Sequence, residues 1–263
     1  MATDLGFTLK SENNFAFGGA TTGFNNIALP DIISGLQQQV NSFTSSNTSA
    51  NLDALYIIWA GTNDYLDFAL FGADPNPRDS VANLATAVRA LVGVGAKNIM
   101  VVNLPDLGKF PVTGGSNQVT TKLSDLVAIH NSELNQTLKL LRQEFTSDID
   151  LIDLDVYALF NQIIASPAKF GLTDVQNACI GELSVVPVNF PRQPVDCVPD
   201  KFLFFDEVHP TSQANKILAK YAFSRLHSQS IPENFTPFSL LIVTGIGVVY
   251  YRQKMSKNKI INN

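Results

Sequence analysis

The sequence predicts an α/β domain built on a mostly parallel sheet. Three observations carry that prediction: short apolar runs that stop at Gly or Pro, stretches of helical period between them, and polar blocks set immediately after the runs. Of the 263 residues, 45% are hydrophobic and 16% charged. That is enough apolar material for a buried core and too much for a chain that stays disordered.

Taken in order, Asn14–Phe17 reads as a short strand ending at Gly18-Gly19. Ala54–Ala60 is a nearly unbroken apolar run stopped by Gly61, the pattern of a strand buried on both faces. Asn98–Leu104, ended by Pro105, and Asp150–Leu154 complete the strand set. Between them, Asp79-Ser80 can cap a helix with Val81, Leu84, Val88, Leu91 and Val92 on one face, closed by Gly93 and Gly95. A second helix, Lys122–Glu144, sets Leu123, Val127, His130, Leu134, Leu138 and Leu141 on one stripe. A last one follows His209-Pro210-Thr211, with proline in its first turn and Ala214, Ile217, Leu218, Tyr221 and Leu226 inward. The polar run Ser42–Asn51 reads as a loop.

The net charge of −5 argues against a nucleic-acid partner, which selects for a basic face. The charge is also uneven. From Ile231 onward there is one acid, Glu233, against Arg252, Lys254, Lys257 and Lys259, so the rest of the chain carries −8. The division expected is therefore a domain over 1–229 and a separate segment over 230–263.

Three polar blocks hold residues suited to chemistry: Asn14–Gly23 with Gly18-Gly19, Gly61-Thr62-Asn63-Asp64-Tyr65, and Phe204–Thr211 with Asp206 and His209. Open α/β sheets bind their ligands where such blocks follow strands. Singly, each has a structural explanation: a tight turn, an Asx turn, a surface ion pair or two ligands of an adventitious metal. His130 falls on an apolar helical stripe and reads as a packed, hydrogen-bonded residue, Trp59 as sheet packing, and His227 has no recognisable partner.

Together and in this order, the blocks resemble the SGNH (GDSL-type) hydrolase family of esterases and lipases across most of residues 13–226. The resemblance implies a three-layer α/β/α, flavodoxin-like sheet and a Ser-His-Asp acyl-enzyme mechanism. It assigns His209 as general base, Asp206 as its orienting carboxylate, and the Gly19 N–H and Asn63 side-chain amide as oxyanion donors. It implies an ester substrate, lipid or small molecule, and neither metal nor organic cofactor. Acyl transfer would use the same residues, and a chain lacking the nucleophile could be an inactive relic or a surface binding module.

One block of the family is missing. No Gly-Asp-Ser occurs in the chain, and Ser11 has no Gly-Asp before it. In the family's sheet order, 2-1-3-4-5, the strand ending in that serine lies between those carrying Gly19 and Asn63, so its absence opens the middle of the sheet. The expectation is a reading frame truncated at its start, with the serine and a signal peptide encoded upstream of Met1; Met1–Asn14 itself has neither a basic n-region nor an apolar h-region.

The tail points to export. Phe235–Tyr251 is apolar apart from Thr236, Pro237, Ser239 and Thr244, and bases follow it, which suits a short membrane span with a cytoplasmic basic flank. With Pro232-Glu233 before it, the tail resembles a PEP-CTERM sorting signal, although Asn234 stands where a second proline is usual. The expectation is an exported domain, membrane-anchored at its C-terminus, with a sortase-like processing enzyme as a partner. Cys179 and Cys197 lie in a proline-rich stretch and are either two free thiols or one bridge; export favours the bridge.

Overall fold

The computed structural model describes residues 13–28, 34–145, 148–180 and 197–229. Its central sheet is parallel, in the order β1 (Leu55–Ile58), β2 (Asn98–Val102), β3 (Asp150–Leu154). A second parallel pair is formed by β4 (Asp174–Ala178) and β5 (Phe202–Phe204). Helices connect the strands: α1 (Leu36–Ser46) precedes β1, and α2 (Thr62–Phe71) and α3 (Pro77–Gly93) link β1 to β2. The long α4 (Asn117–Glu144) links β2 to β3, α5 (Val156–Ala165) precedes β4, and α6 (Ser212–Gln229) follows β5.

Strand β2 is buried on both faces. Ile99 and Val101 join Leu36 and Val40 of α1, Leu84 and Val88 of α3, and Leu134, Leu138 and Leu141 of α4 in one apolar cluster. Met100 and Val102, alternating with them, point the other way and are equally buried. Another apolar centre is aromatic: Phe110, after β2, stacks on Phe160 of α5 at 6.2 Å and lies 4.7 Å from Phe204 of β5.

The α/β class with a parallel sheet holds, and several elements correct the sequence reading. Asn14–Phe17 is not a strand; its polar groups close locally, Ala16 N–H on Asn14 Oδ1 and Ala20 N–H on Phe17 O. Strand β1 is not buried on both faces. Among the described residues it pairs only with β2, and Ile57 remains 48% exposed, as an edge position allows. The expected loop Ser42–Asn51 is helical as far as Ser46, because Leu36, Val40 and Phe43 give α1 an apolar stripe.

Helix starts also move. Asn76, not Asp79-Ser80, caps α3, with Pro77 in its first turn. Ser116 caps α4, whose first residue, Asn117, lies five residues ahead of the predicted start. Pro210 precedes α6 and pairs with Phe204 instead of opening the helix. Within α6, Ala214 is buried while Ile217 and Leu218 are only half-buried.

Two compact units divide within α6, at Lys220/Tyr221. The first holds both sheets and every candidate site residue; of the second, residues 221–229 are described and form the end of α6. The tail resembling a PEP-CTERM signal lies outside the described residues. Among those described, no helix is long and apolar enough to cross a membrane.

Candidate active site

The loop carrying Gly19 is shaped by left-handed backbone and by Asn26. Gly19 has φ +80°, and a Cβ there would stand 2.5 Å from Asn26 Oδ1 and 2.7 Å from the Ala28 Cβ. Only glycine fits such a position without strain. The buried Asn26 holds the turn from inside, donating to Gly18 O at 2.8 Å and accepting from Ala28 N–H at 2.9 Å. Gly19 O accepts from Ile27 N–H at 2.8 Å. Its own N–H finds no acceptor among the described residues, which leaves it available to a ligand.

Asn63 sits in the first turn of α2, where backbone N–H groups are unpaired by helix geometry. The turn into that helix is made by Gly61, at φ +125°, where a Cβ would come within 3.1 Å of His130 Cε1. Asn63 Nδ2 donates to Ala20 O at 2.9 Å, which places the side-chain amide on the residue next to Gly19. Thus two positions 43 residues apart meet.

Asp206 and His209 form the other half. Asp206 is buried, and Oδ1 accepts from the backbone N–H groups of Val208 and His209 at 3.0 and 2.7 Å. His209 Nδ1 lies 3.0 and 2.9 Å from its two carboxylate oxygens. An ionised carboxylate only accepts, so Nδ1 carries the proton and Nε2 keeps a free lone pair. Burial pushes the Asp206 carboxyl up, but the His209 ring and the two N–H groups outweigh it and hold it below the ordinary carboxylate range. The bond to Asp206 raises the His209 imidazole above its usual value, against the opposing effect of burial.

The loop is pinned from below by Thr211. Its N–H donates to Leu203 O, its hydroxyl to Phe202 O at 2.8 Å, and the same hydroxyl caps α6 by accepting from Ala214 N–H. Cys179 and Cys197 are joined in a disulfide with Cα atoms 5.4 Å apart, and Cys179 N–H donates to Phe204 O at the end of β5. Among the described residues no cluster of His, Cys, Asp and Glu could hold a metal ion.

No hydrogen bond joins the Gly19–Asn63 pair to the Asp206–His209 pair among the described residues. Both halves are nevertheless anchored on the segment after β2. Leu104 packs against Gly61, and Val112 N–H donates to Glu207 O at 3.0 Å.

The residue signature of GDSL-like lipase/acylhydrolases matches residues 1–222. This chain belongs to that family. Among related proteins, an uncharacterized protein of the trpE-trpG intergenic region of Pseudomonas putida is 33% identical over 236 residues, covering 83% of this chain and 38% of the relative. A GDSL esterase/lipase of Arabidopsis thaliana is 27% identical, covering 82% of this chain and 66% of the relative. A phosphatidylcholine-sterol acyltransferase of Aeromonas hydrophila is 33% identical, covering 67% and 51%. This GDSL-family chain therefore spans between 38% and 66% of the length of these relatives.

Sequence reasoning missed the residues that support the site. Asp64 accepts from Thr22 N–H, from the Thr22 hydroxyl and from the Ser80 hydroxyl, and Gln37 and Asn83 extend the same network. The available signal was local: an acid in the first turn of a helix normally bonds that helix's own N–H groups, and nothing in the sequence says that Thr22 competes for it. His130 is as expected, fully buried with Nδ1 2.7 Å from the Tyr65 hydroxyl.

Proposed function

We propose that this GDSL-family chain supplies the general base and the oxyanion donors of a carboxylic ester hydrolase. The observation that carries the reading is the Asp206–His209 pair, a buried carboxylate fixing Nδ1–H of an exposed ring so that Nε2 can accept a proton. In the reaction, Nε2 takes the proton of a serine hydroxyl as it attacks the ester carbonyl, then returns it to the leaving alcohol. The tetrahedral oxyanion is met by the Gly19 N–H and the second N–H of the Asn63 amide, each contributing about 3 kcal/mol of transition-state stabilisation. Convergence of these two halves on one cleft is part of the proposal.

The mechanism also needs a nucleophilic serine, and Gly-Asp-Ser occurs nowhere in the 263 residues. The test is p-nitrophenyl butyrate hydrolysis by the present chain and by its upstream-extended form, each with and without His209→Ala. Hydrolysis by the extended form that His209→Ala abolishes supports the reading; none in either form overturns it in favour of a non-catalytic relic or binding module. Similarity to an acyltransferase favours a second outcome of the same acyl-enzyme, transfer to an acceptor alcohol, read as a rise in ester product when alcohol is added.

The same reading sets the domain outside the cytoplasmic membrane, anchored by the apolar run Phe235–Tyr251 and its basic flank, with a sortase-like enzyme as processing partner. The Cys179–Cys197 bridge supports it, because disulfides persist in oxidising compartments. Membrane fractionation of cells carrying the full-length chain and a form ending at Gln229 tests it. Equal partition of the two into the soluble fraction would count against the anchor.

A further inference from the structure

The Asp64 carboxylate stands beside the candidate site and has no part in the reaction proposed above. It is largely buried, and burial pushes its carboxyl up while the Thr22 and Ser80 bonds pull it down. A buried carboxylate is tolerated only where donors surround it. Three do: Thr22 N–H to Oδ2 at 2.9 Å, the Thr22 hydroxyl to Oδ1 at 2.6 Å and the Ser80 hydroxyl to Oδ1 at 2.8 Å.

Thr22 is held at every polar atom it has. Its N–H and hydroxyl go to Asp64, Asn83 Nδ2 donates to the hydroxyl oxygen at 3.2 Å, and Gln37 Nε2 donates to its carbonyl at 2.9 Å. Gln37 also reaches Asn83 O at 3.0 Å, so α1, α2 and α3 all grip the same residue. Thr22 has no exposed surface, three residues beyond Gly19. Asn63, the neighbour of Asp64, meanwhile bonds Ala20 O. Two consecutive residues of α2 therefore hold two points of one loop, on either side of Thr21.

We propose that Asp64 is a positioning residue: its carboxylate clamps the Gly18–Gly23 turn to the first turn of α2 and so sets the spacing between the Gly19 N–H and the Asn63 amide. The inference rests on reading those two groups as the oxyanion donors. Such donors act only when held within about 0.5 Å of the productive geometry, and the Asn26 bonds that shape the turn from inside do not tie it to α2. The clamp supplies the rigidity from outside the loop. Asp64 touches no reacting atom.

The test compares Asp64→Ala with Asp64→Asn in the full chain, by amide hydrogen–deuterium exchange over residues 17–28 and over β2 as reference. Asparagine retains an acceptor for Thr22 N–H, and both hydroxyls can turn to accept from its amide; alanine removes every acceptor. Asp64→Ala is expected to speed exchange in 17–28 tenfold or more with β2 changed less than twofold, and Asp64→Asn to restore most of the protection. Unchanged exchange in 17–28, or an equal rise in both segments, overturns the clamp. Should Asp64→Ala not fold, Thr22→Val deletes the hydroxyl, and with it the bond to Asp64 and the one accepted from Asn83, and is expected to speed exchange in 17–28 at least threefold; no change overturns the clamp equally.

In the form that shows His209-dependent ester hydrolysis, Asp64→Ala is expected to lower kcat at least tenfold while KM moves less than threefold, with Asp64→Asn recovering kcat. An unaltered kcat overturns the positioning role and leaves the hydrolase reading standing. Absence of His209-dependent hydrolysis from every form overturns the hydrolase reading, and the exchange result still decides the clamp.

Discussion

His130 offers a perturbation whose size follows from its surroundings. The ring is fully buried against Tyr65 and Gly61, Nδ1 lies 2.7 Å from the Tyr65 hydroxyl, and Nε2 has no partner among the described residues. No carboxylate bonds the ring, and burial drives its pKa down to about 4. An unfolded histidine titrates near 6.5, so the folded state refuses a proton that the unfolded state accepts, a difference worth about 3 kcal/mol when fully developed. Stability from this residue is complete above pH 6.5, falls as the pH drops through that value, and levels off below about 4. Urea unfolding of the wild-type chain and of His130→Gln at pH 7.5, 6.5, 5.5 and 4.5 measures it, since glutamine accepts from Tyr65 and does not titrate. His209 and the carboxylates titrate in both proteins and cancel in the difference. The wild type should lose roughly 2 to 3 kcal/mol more than the variant between pH 7.5 and 4.5. Parallel pH profiles would refute the argument that this ring is held neutral by burial.

Other outcomes follow from the same geometry. In the hydrolytically active form, the rate should rise with pH as His209 loses its proton, with a midpoint above 6.5 because Asp206 holds that proton more firmly. Asp206→Asn should move the midpoint down and cut kcat on the order of 10³- to 10⁴-fold, read from pH–rate profiles of both proteins. Gly19→Ala meets left-handed backbone and the Asn26 and Ala28 contacts together, and should cost about 1–3 kcal/mol in thermal unfolding. Thr211→Val removes both the α6 cap and the bond to Phe202 O, a loss of about 1–2 kcal/mol by the same measurement. Reducing Cys179–Cys197, which closes a sequence separation of 18, should lower stability by about 3 kcal/mol, tested by urea unfolding with and without reductant.

What the chain declares by itself is periodic or compositional. The runs at β1, β2 and β3 and the stripes of α3 and α4 are visible because burial demands apolar residues at fixed intervals. The Asp206–His209 spacing is visible because three residues across a turn suffice to join them, and His130 shows as a core residue because its neighbours on the stripe are leucines and a valine. Tertiary structure alone decided the rest. Whether β1 is central or at an edge depends on which strands lie beside it, and Ile57 looks the same in sequence either way. The strand expected at Asn14–Phe17 gives way to locally closed turn bonds, and the loop expected at Ser42–Asn51 starts as helix because Leu36, Val40 and Phe43 have an apolar cluster to pack against. Above all, the meeting of Asn63 with Ala20 and of Asp64 with Thr22 spans more than forty residues. Hydrogen bonds at that separation obey no sequence period; they exist because the packing of three helices brings the groups within 3 Å of each other.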